Sequence, residues 1–584
     1  MPVDFPRPWL AHYEEGVSAD IPAYGKPLFH FLDEAARRYP DRAAIRFQNT
    51  LITYRQLKRR AEQMAGKLRD MGVGDGDRVA VMLPNLPQTI LIFWAILKAG
   101  GVVVMLNPLY MESELLTILN DARPRHMFLL DLLWPRVSVL RDRLPVETFC
   151  ITDVGDSLSF PLNVLYRLKA WRGRQAPRID YGPSVLRWKD VMGRSDPYVT
   201  NIATPDETPA LLQYTGGTTG LPKGVPLTHG NLGSNALQVL EVIRDLRHER
   251  HSMVGLLPFF HVYGLCLGIT LPAVLSATSL PLPRYVPQDV LHLINRHKPT
   301  IFPGAPSVYA SLLQQKNLAK FDLKSIRLCI SGSAPLSREL RRQFHALTGA
   351  SLLEGYGLTE ASPVTHLNPL IPEQQKDGSI GMPMPGTDAM IVAEDDMTPL
   401  PPHTVGELLI RGPQVMHGYW NRPEDTAATL RDGWLRTGDL ASMDEDGFFY
   451  IVDRKKDLVL VGGYNVYPRE VEEVVMEHEG VQEAVCIGLR DPLRGEVLKC
   501  YVVPRPQAAA TLDKREIIAW CRSKLANYKV PRHVEFRQEL PKSPIGKVLR
   551  RTLREEEERK AASRASRRAG SERAERSASP EADA

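Results

Sequence analysis

The chain has 584 residues, 43% of them hydrophobic and 24% charged, so it is globular and too long for one core; roughly three or four domains or subdomains are expected. A net charge of only +5, with basic residues spread out apart from an Arg-rich tail, leaves no nucleic-acid footprint. The six cysteines (Cys150, Cys266, Cys329, Cys486, Cys500 and Cys521) include no CxxC pair, which argues against a zinc site or a disulfide framework and fits a reducing, cytoplasmic setting.

The opening MPVDFPRPWLAHYEE lacks a basic segment followed by an apolar run and is not read as a signal peptide. The stretch from Phe29 through FLDEAARRYP predicts a helix closed by proline. From Thr53 a second helix places Leu57, Ala61, Met64, Leu68 and Met71 at helical spacing, with Thr53 and Gln56 as a capping box. A short buried strand over 78–83, a helix from Ile90, and strands from Val102, His126 and Thr148 follow. Apolar strands alternating with helices predict an α/β fold with a mostly parallel sheet covered on both faces. Residues 156–197 then mix Leu, Phe, Tyr and Trp with Arg167, Lys169, Arg172 and Arg174. This stretch reads as a surface insertion with a solvated face; its composition also suits docking on an acidic membrane surface. Residues 253–283 carry no Asp, Glu, Lys or Arg, but Pro258, Pro272 and Pro281 cut them into pieces that suit a core better than a membrane span. A charge cluster at Asp453, Arg454, Lys455, Lys456 and Asp457 marks a domain boundary, and the residues after about Arg554 are expected to be disordered.

Several motifs carry chemistry. YTGGTTGLPKG, from Tyr214 to Gly224, is a glycine- and threonine-rich loop with exposed amides suited to an anion; it is not a Walker loop, because Lys223 follows Pro222 and precedes Gly224. LPFFHVYGL sets His261 among aromatics, where a core histidine is the ordinary outcome. SGSAPL, with Gly332, Ser333, Ala334 and Pro335, follows an apolar run at a strand end, where open α/β sheets bind ligands, although a plain turn has the same composition. EGYGLTE brings Glu354, Gly355, Tyr356, Gly357, Thr359 and Glu360: a ring between glycines able to stack on a base, a hydroxyl for phosphate and a hard oxygen for Mg²⁺, or else a helix start capped by Thr359. Asp439 in GWLRTGDL suits two ribose hydroxyls or an Asx turn, and Lys547 in PKSPIGK taken alone is a surface lysine.

In this order, and with DRKKDLVLVGGYNVYPREVE before PKSPIGK, the motifs resemble the adenylate-forming superfamily over about residues 27–551. Within it, NPLYMESEL from Asn107, the pair Gly216-Gly217 and the insertion after Asp156 most resemble bacterial long-chain fatty-acid–CoA ligases. The resemblance implies a large N-terminal domain of stacked, mostly parallel α/β sheets (1–453), a small mobile α+β C-terminal domain (454–553, hinge near Lys456) and a charged tail (554–584). It implies ATP, Mg²⁺ and coenzyme A as cofactors, a fatty acid as substrate, and a two-step reaction through acyl-AMP.

Position by position, it implies that Thr215, Gly216, Gly217, Thr218, Thr219 and Gly220 hold the β and γ phosphates with Lys223 supporting the loop. Tyr356 would stack near adenine, Thr359 touch phosphate and Glu360 hold Mg²⁺. Asp439 and Arg454 would bind ribose, and Lys547 would bridge carboxylate and α-phosphate. Between the two steps the smaller domain would rotate about Lys456, replacing the Lys547 loop with the loop of Gly462 and Gly463. His261 would stand where acyl pocket and pantetheine tunnel meet. Many relatives have Gly where Asp453 stands, a departure expected to change little, and Phe260-His261-Val262 lacks the aspartate of amino-acid-activating domains. An aryl or medium-chain acid ligase, and a non-catalytic binding or membrane-surface protein, are the competing readings; peripheral membrane contact through 156–197 and a homodimer stay open.

Overall fold

The computed structural model describes residues 5–173, 177–193, 195–215, 222–247, 249–393, 397–461, 464–491, 495–543 and 546–561. By compactness the chain forms two units, Met1–Thr437 with Ser442–Tyr450, and Gly438–Ala441 with Ile451–Ala584, so Asp439 groups with the second.

The first unit is built on two large sheets. One has seven strands in the order Val185–Arg187, Thr148–Thr152, His126–Leu130, Arg78–Met82, Val102–Met105, Pro209–Thr215 and Lys223–Thr228, all parallel except the last pair. The other has nine: its centre, from Ser351–Gly357 through Leu328–Ser331, Ile301–Gly304, Ser252–Gly255 and Thr278–Pro281 to Ala43–Phe47, is parallel, with antiparallel strands at both edges. Near-continuous apolar strands such as RVAVM and VVVM need cover on both faces, and helices supply it. Helix Pro87–Lys98 is buried at every residue, and helix Tyr54–Asp70 starts with the Thr53–Gln56 capping box in place. A third, smaller sheet, including antiparallel strands Asp388–Val392 and Gly406–Arg411, adds to the α/β pattern that the sequence predicts.

Buried side-chain amides tie these layers. Asn85, just past strand Arg78–Met82, donates towards the carbonyls of Gly255, Leu256 and Leu257 at 2.9, 3.2 and 2.8 Å and accepts from the Phe259 amide at 2.8 Å. Helix His229–Val242, capped by Thr228, faces Asn231, Asn235 and Gln238 inward; Asn231 holds the carbonyls of Pro413 and Val415, and Asn235 both the carbonyl and the amide of Val364. Residues 253–283 resolve into short strands and helical turns, and no helix among the described residues is long and apolar enough to cross a membrane.

In the second unit, strands Tyr464–Val466, Val459–Val461, Gly495–Pro504 and Val481–Asp491 form a sheet to which His533–Phe536 adds in parallel, packed by helices Pro468–Met476 and Lys514–Lys524. The chain is helical over 550–561, and the rest of the expected tail lies outside the described residues. Arg550 makes a two-pronged contact with buried Glu472 at 2.7 and 2.8 Å and reaches Asp457 at 3.2 Å. All six cysteines are buried free thiols; burial pushes Cys150, Cys266 and Cys521 up to about 12.

Helix Pro87–Lys98 ends on a fully buried ammonium, Lys98 Nζ, that meets Asp33 at 2.6 Å and Glu62 at 3.3 Å. Lys98→Ala removes the buried cation from Asp33 and Glu62, which keep partial access to water and Lys58 as a second partner, and it is expected to lower unfolding free energy by about 2 kcal/mol. Chemical denaturation of the two proteins, followed by circular dichroism, measures that difference.

Candidate active site

The glycine loop is the connection of an antiparallel hairpin. Its strands pair Thr215 with Lys223 and Tyr214 with Gly224, so the loop leaves and re-enters the sheet at one fixed place. Gly216, Gly217, Thr218, Thr219 and Gly220 lie outside the described residues. Lys223 forms an ion pair with Asp425 and places its ammonium 5.0 Å from the centre of the Tyr419 ring. Strand Pro209–Thr215 is also joined to the His261 turn, because Gln213 donates to the Phe260 carbonyl at 3.1 Å. His261 is half-buried and caps helix Val262–Leu265, its Nδ1 accepting from the Tyr263 amide at 3.2 Å.

The parallel strands Leu328–Ser331 and Ser351–Gly357 lie side by side and bring two of the motifs to their carboxyl ends. Gly332 passes under the Tyr263 ring, which a Cβ there would meet at 3.1 Å, and Ser333 takes a left-handed φ of 73°. Ala334 is half-buried and Pro335 exposed. Glu354 is buried, and Gly355 is closed in by Leu367, 2.9 Å from where a Cβ would stand. At Gly357 a Cβ would fall 2.0 Å from the Pro363 carbonyl oxygen, so no other residue fits without moving the backbone. Tyr356 between them is half-buried and stands edge-on to His366 at 5.9 Å. Thr359 is buried at the start of the turn Thr359–Ala361.

Glu360 is half-buried. Its Oε1 accepts from the Tyr419 hydroxyl at 2.9 Å, and its carbonyl accepts from the Met416 amide at 2.8 Å. The same segment touches the hairpin, since the Trp420 amide donates to the Gly224 carbonyl at 2.8 Å. Residues 416–425 therefore join Lys223 to Glu360 through Tyr419. None of the sequence motifs covers this segment; its signal is the aromatic pair in HGYWNRPED, set directly before an acidic, proline-started helix.

The second unit gathers the remaining charges. Asp439 is buried and paired with Arg454, Nε to Oδ1 at 3.2 Å. Lys547 is held down to about 8, first by burial and then by the Arg454 guanidinium, against the opposing pull of Asp439. Lys456 is likewise held down to about 8 by desolvation and Arg454, although its side chain reaches the surface. Asp453 is tied into the backbone: its carboxylate accepts from the amides of Arg454 at 2.7 Å and Arg469 at 2.8 Å. Gly462 and Gly463 lie outside the described residues.

The family model of AMP-binding enzymes matches residues 32–420, and that of the AMP-binding enzyme C-terminal domain matches 470–547. The chain belongs to the AMP-binding enzyme family. Among curated relatives it is similar to the long-chain-fatty-acid–CoA ligase of Bacillus subtilis (strain 168), at 46% identity over 555 residues, 94% of this chain and 98% of the relative. The enzyme of the same description from Salmonella typhimurium is 38% identical over 557 residues, with the same shares of both chains. Among solved structures it resembles the anthranilate CoA ligase AuaEII in complex with anthranoyl-AMP (TM-score 0.81, 28% identity, 93% of this chain and 99% of that one). It also resembles ATP-bound MatB from Rhodopseudomonas palustris (TM-score 0.78, 29% identity, 91% and 99%).

Two lysines of this site are expected to titrate near pH 8, whereas an unperturbed lysine titrates near about 10.4. NMR of side-chain-labelled lysine across pH 6–11 checks this: Lys547→Arg and Lys456→Arg should each delete one early-titrating signal.

Proposed function

We propose that the chain is an AMP-forming long-chain fatty-acid–CoA ligase. The fatty carboxylate attacks the α-phosphorus of ATP and pyrophosphate leaves; the coenzyme A thiol then attacks the acyl carbonyl, loses its proton, and AMP leaves. The observation that carries this reading is the 46% identity to a ligase of that description across almost the full length of both chains, with Glu360, Asp439 and Lys547 all in place. A feruloyl-CoA synthase from an Amycolatopsis species matches at 35% over 521 residues, so the order of identity favours a fatty over an aryl acid.

The residue roles are those the family resemblance implies, and the geometry supports several of them. Thr215 and Lys223 pin the ends of the hairpin loop, whose residues 216–220 would hold the β and γ phosphates through backbone amides. Tyr356, half-buried between Gly355 and Gly357 and edge-on to His366, would stack on the adenine base. Glu360 supplies a single hard carboxylate, and among the described residues no cluster of three or more acidic, His or Cys side chains accompanies it. One carboxylate fits Mg²⁺ that keeps most of its shell as water and substrate phosphate. The ion would supply charge neutralisation on those phosphates, and Tyr419 would keep the Glu360 carboxylate turned to receive it.

In the second unit, Asp439, held by Arg454, would accept from both ribose hydroxyls, and Lys547 would neutralise charge at the carboxylate and α-phosphate during adenylation. Lys456 at the hinge, the Gly462-Gly463 loop at the pantetheine thiol, and His261 beside the acyl carbonyl complete the proposal. The peripheral membrane contact left open for residues 156–197 belongs to it as well.

If Lys547 serves adenylation alone, Lys547→Ala should lower acyl-AMP formation at least about 100-fold, the usual weight of one charge-stabilising group. Thioesterification of supplied acyl-AMP should stay within a few-fold of wild type; equal loss of both half-reactions would overturn the division. A coenzyme A-dependent AMP-release screen over fatty acids of graded length and aryl acids tests the substrate. The long chains should give the highest kcat/KM, and a flat response or an aryl preference would sink that part.

A further inference from the structure

We propose that helix Leu162–Arg172, with Phe160 before it, is an interfacial helix that lays the protein on an anionic lipid surface. The inference rests on the peripheral-contact part of the reading above and not on the ligase chemistry.

The helix has no buried residue. Asn163, Tyr166 and Ala170, at helical spacing, are its only half-buried positions and form the stripe turned to the protein. Everything else is outside: Phe160, Leu162, Val164, Leu165, Leu168 and Trp171 are exposed, Phe160 by 79% and Trp171 by 73%. Six large apolar side chains within twelve residues make a patch of the kind that marks an interaction site, whereas single exposed leucines need no explanation.

Nor is the helix loosely hung. Arg167 donates to Asp156 at 2.6 Å and to Asp153 at 3.3 Å, and Asp153 itself caps the turn Val154–Ser157. Ser159 is bound on both backbone groups by the Asn49 amide, at 2.9 and 3.2 Å. The unit thus holds the helix by its root while leaving its apolar surface bare.

Charge selects the occupant. From Ser157 to Ile179 there is no Asp or Glu, against Arg167, Lys169, Arg172, Arg174 and Arg178. Arg167 is used at the root, which leaves Lys169, Arg172 and Arg178 exposed. A second copy of the chain in a two-fold contact through this helix would bring more of the same cations to the patch, with no carboxylate between Ser157 and Ile179 to pair with them. A bilayer with anionic headgroups meets both needs at once: leucine, phenylalanine and tryptophan enter the acyl boundary, and the long basic side chains, interleaved with them around the helix, reach back to the phosphates.

The test is co-sedimentation of the full-length protein with phosphatidylcholine vesicles, with and without phosphatidylglycerol. Wild type should bind the mixed vesicles and bind phosphatidylcholine alone weakly. Lys169→Gln with Arg172→Gln should bind the mixed vesicles about 30-fold less, at about 1 kcal/mol for each cation. Leu165→Ser with Leu168→Ser and Trp171→Ala should lose at least about tenfold. Ligation of an acid delivered in detergent should be unchanged in both variants, which also reports that they fold. Absence of wild-type binding, or equal binding by all three proteins, overturns the proposal. So does a variant that changes oligomeric state in light scattering but not vesicle binding, since the patch would then receive a second copy. Variant-sensitive vesicle binding by a protein that ligates no acid would sustain this inference while removing the ligase reading.

Discussion

The Asn85 amide fixes the first unit more than any apolar contact does. Hydrophobic packing between two sheets is non-directional and would tolerate sliding. A buried amide that serves three carbonyls and one N–H of the partner layer does not, because leaving those groups unpaired costs about 1–3 kcal/mol each. The turn it holds runs on through Phe259 and Phe260 to His261, and Gln213 ties that turn to the strand leading into the glycine loop. The placement of His261 relative to Thr215 therefore follows from two amides, one at each end of the turn.

Around this frame the first unit closes its motifs by exclusion. Glycine stands at 332, 355 and 357 because a ring, a leucine side chain and a carbonyl oxygen occupy the space a Cβ would need. The second unit works by charge: Lys547 and Arg454 crowd each other, and the single carboxylate of Asp439 does not offset them. A lysine held near 8 is partly discharged at neutral pH, and an arriving polyanion raises it again. A substrate phosphate bound beside Lys547, as proposed above, would link substrate binding to lysine protonation.

Much of this was legible in the sequence where a pattern is local. Uninterrupted apolar strands gave away the parallel sheets, Thr53 with Gln56 announced a helix start, and the prolines at 258, 272 and 281 announced a broken core segment. What stayed hidden depends on partners far along the chain. Nothing in PNLP signals that Asn85 will meet residues 255–259, and nothing near Lys98 signals Asp33 and Glu62. Tyr419 looked like one more aromatic because its meaning lies in Glu360, and the grouping of Asp439 with Arg454 becomes visible only when residues 438–441 join the second unit. The two backbone amides that Asp453 binds, those of Arg454 and Arg469, are likewise not announced by the charge cluster around it.

The six sealed thiols acquire a meaning once the chemistry is set beside them. A ligase of this kind makes a mixed anhydride and must hand its acyl group to one external sulfur. Any thiolate of its own within reach would be a competing acceptor, ending in self-acylation and a dead enzyme. With every cysteine interior, and with burial keeping the thiols at 150, 266 and 521 protonated up to about 12, the protein keeps its own sulfur inert towards the intermediate. Chemoselectivity here is a property of the whole core as much as of the site.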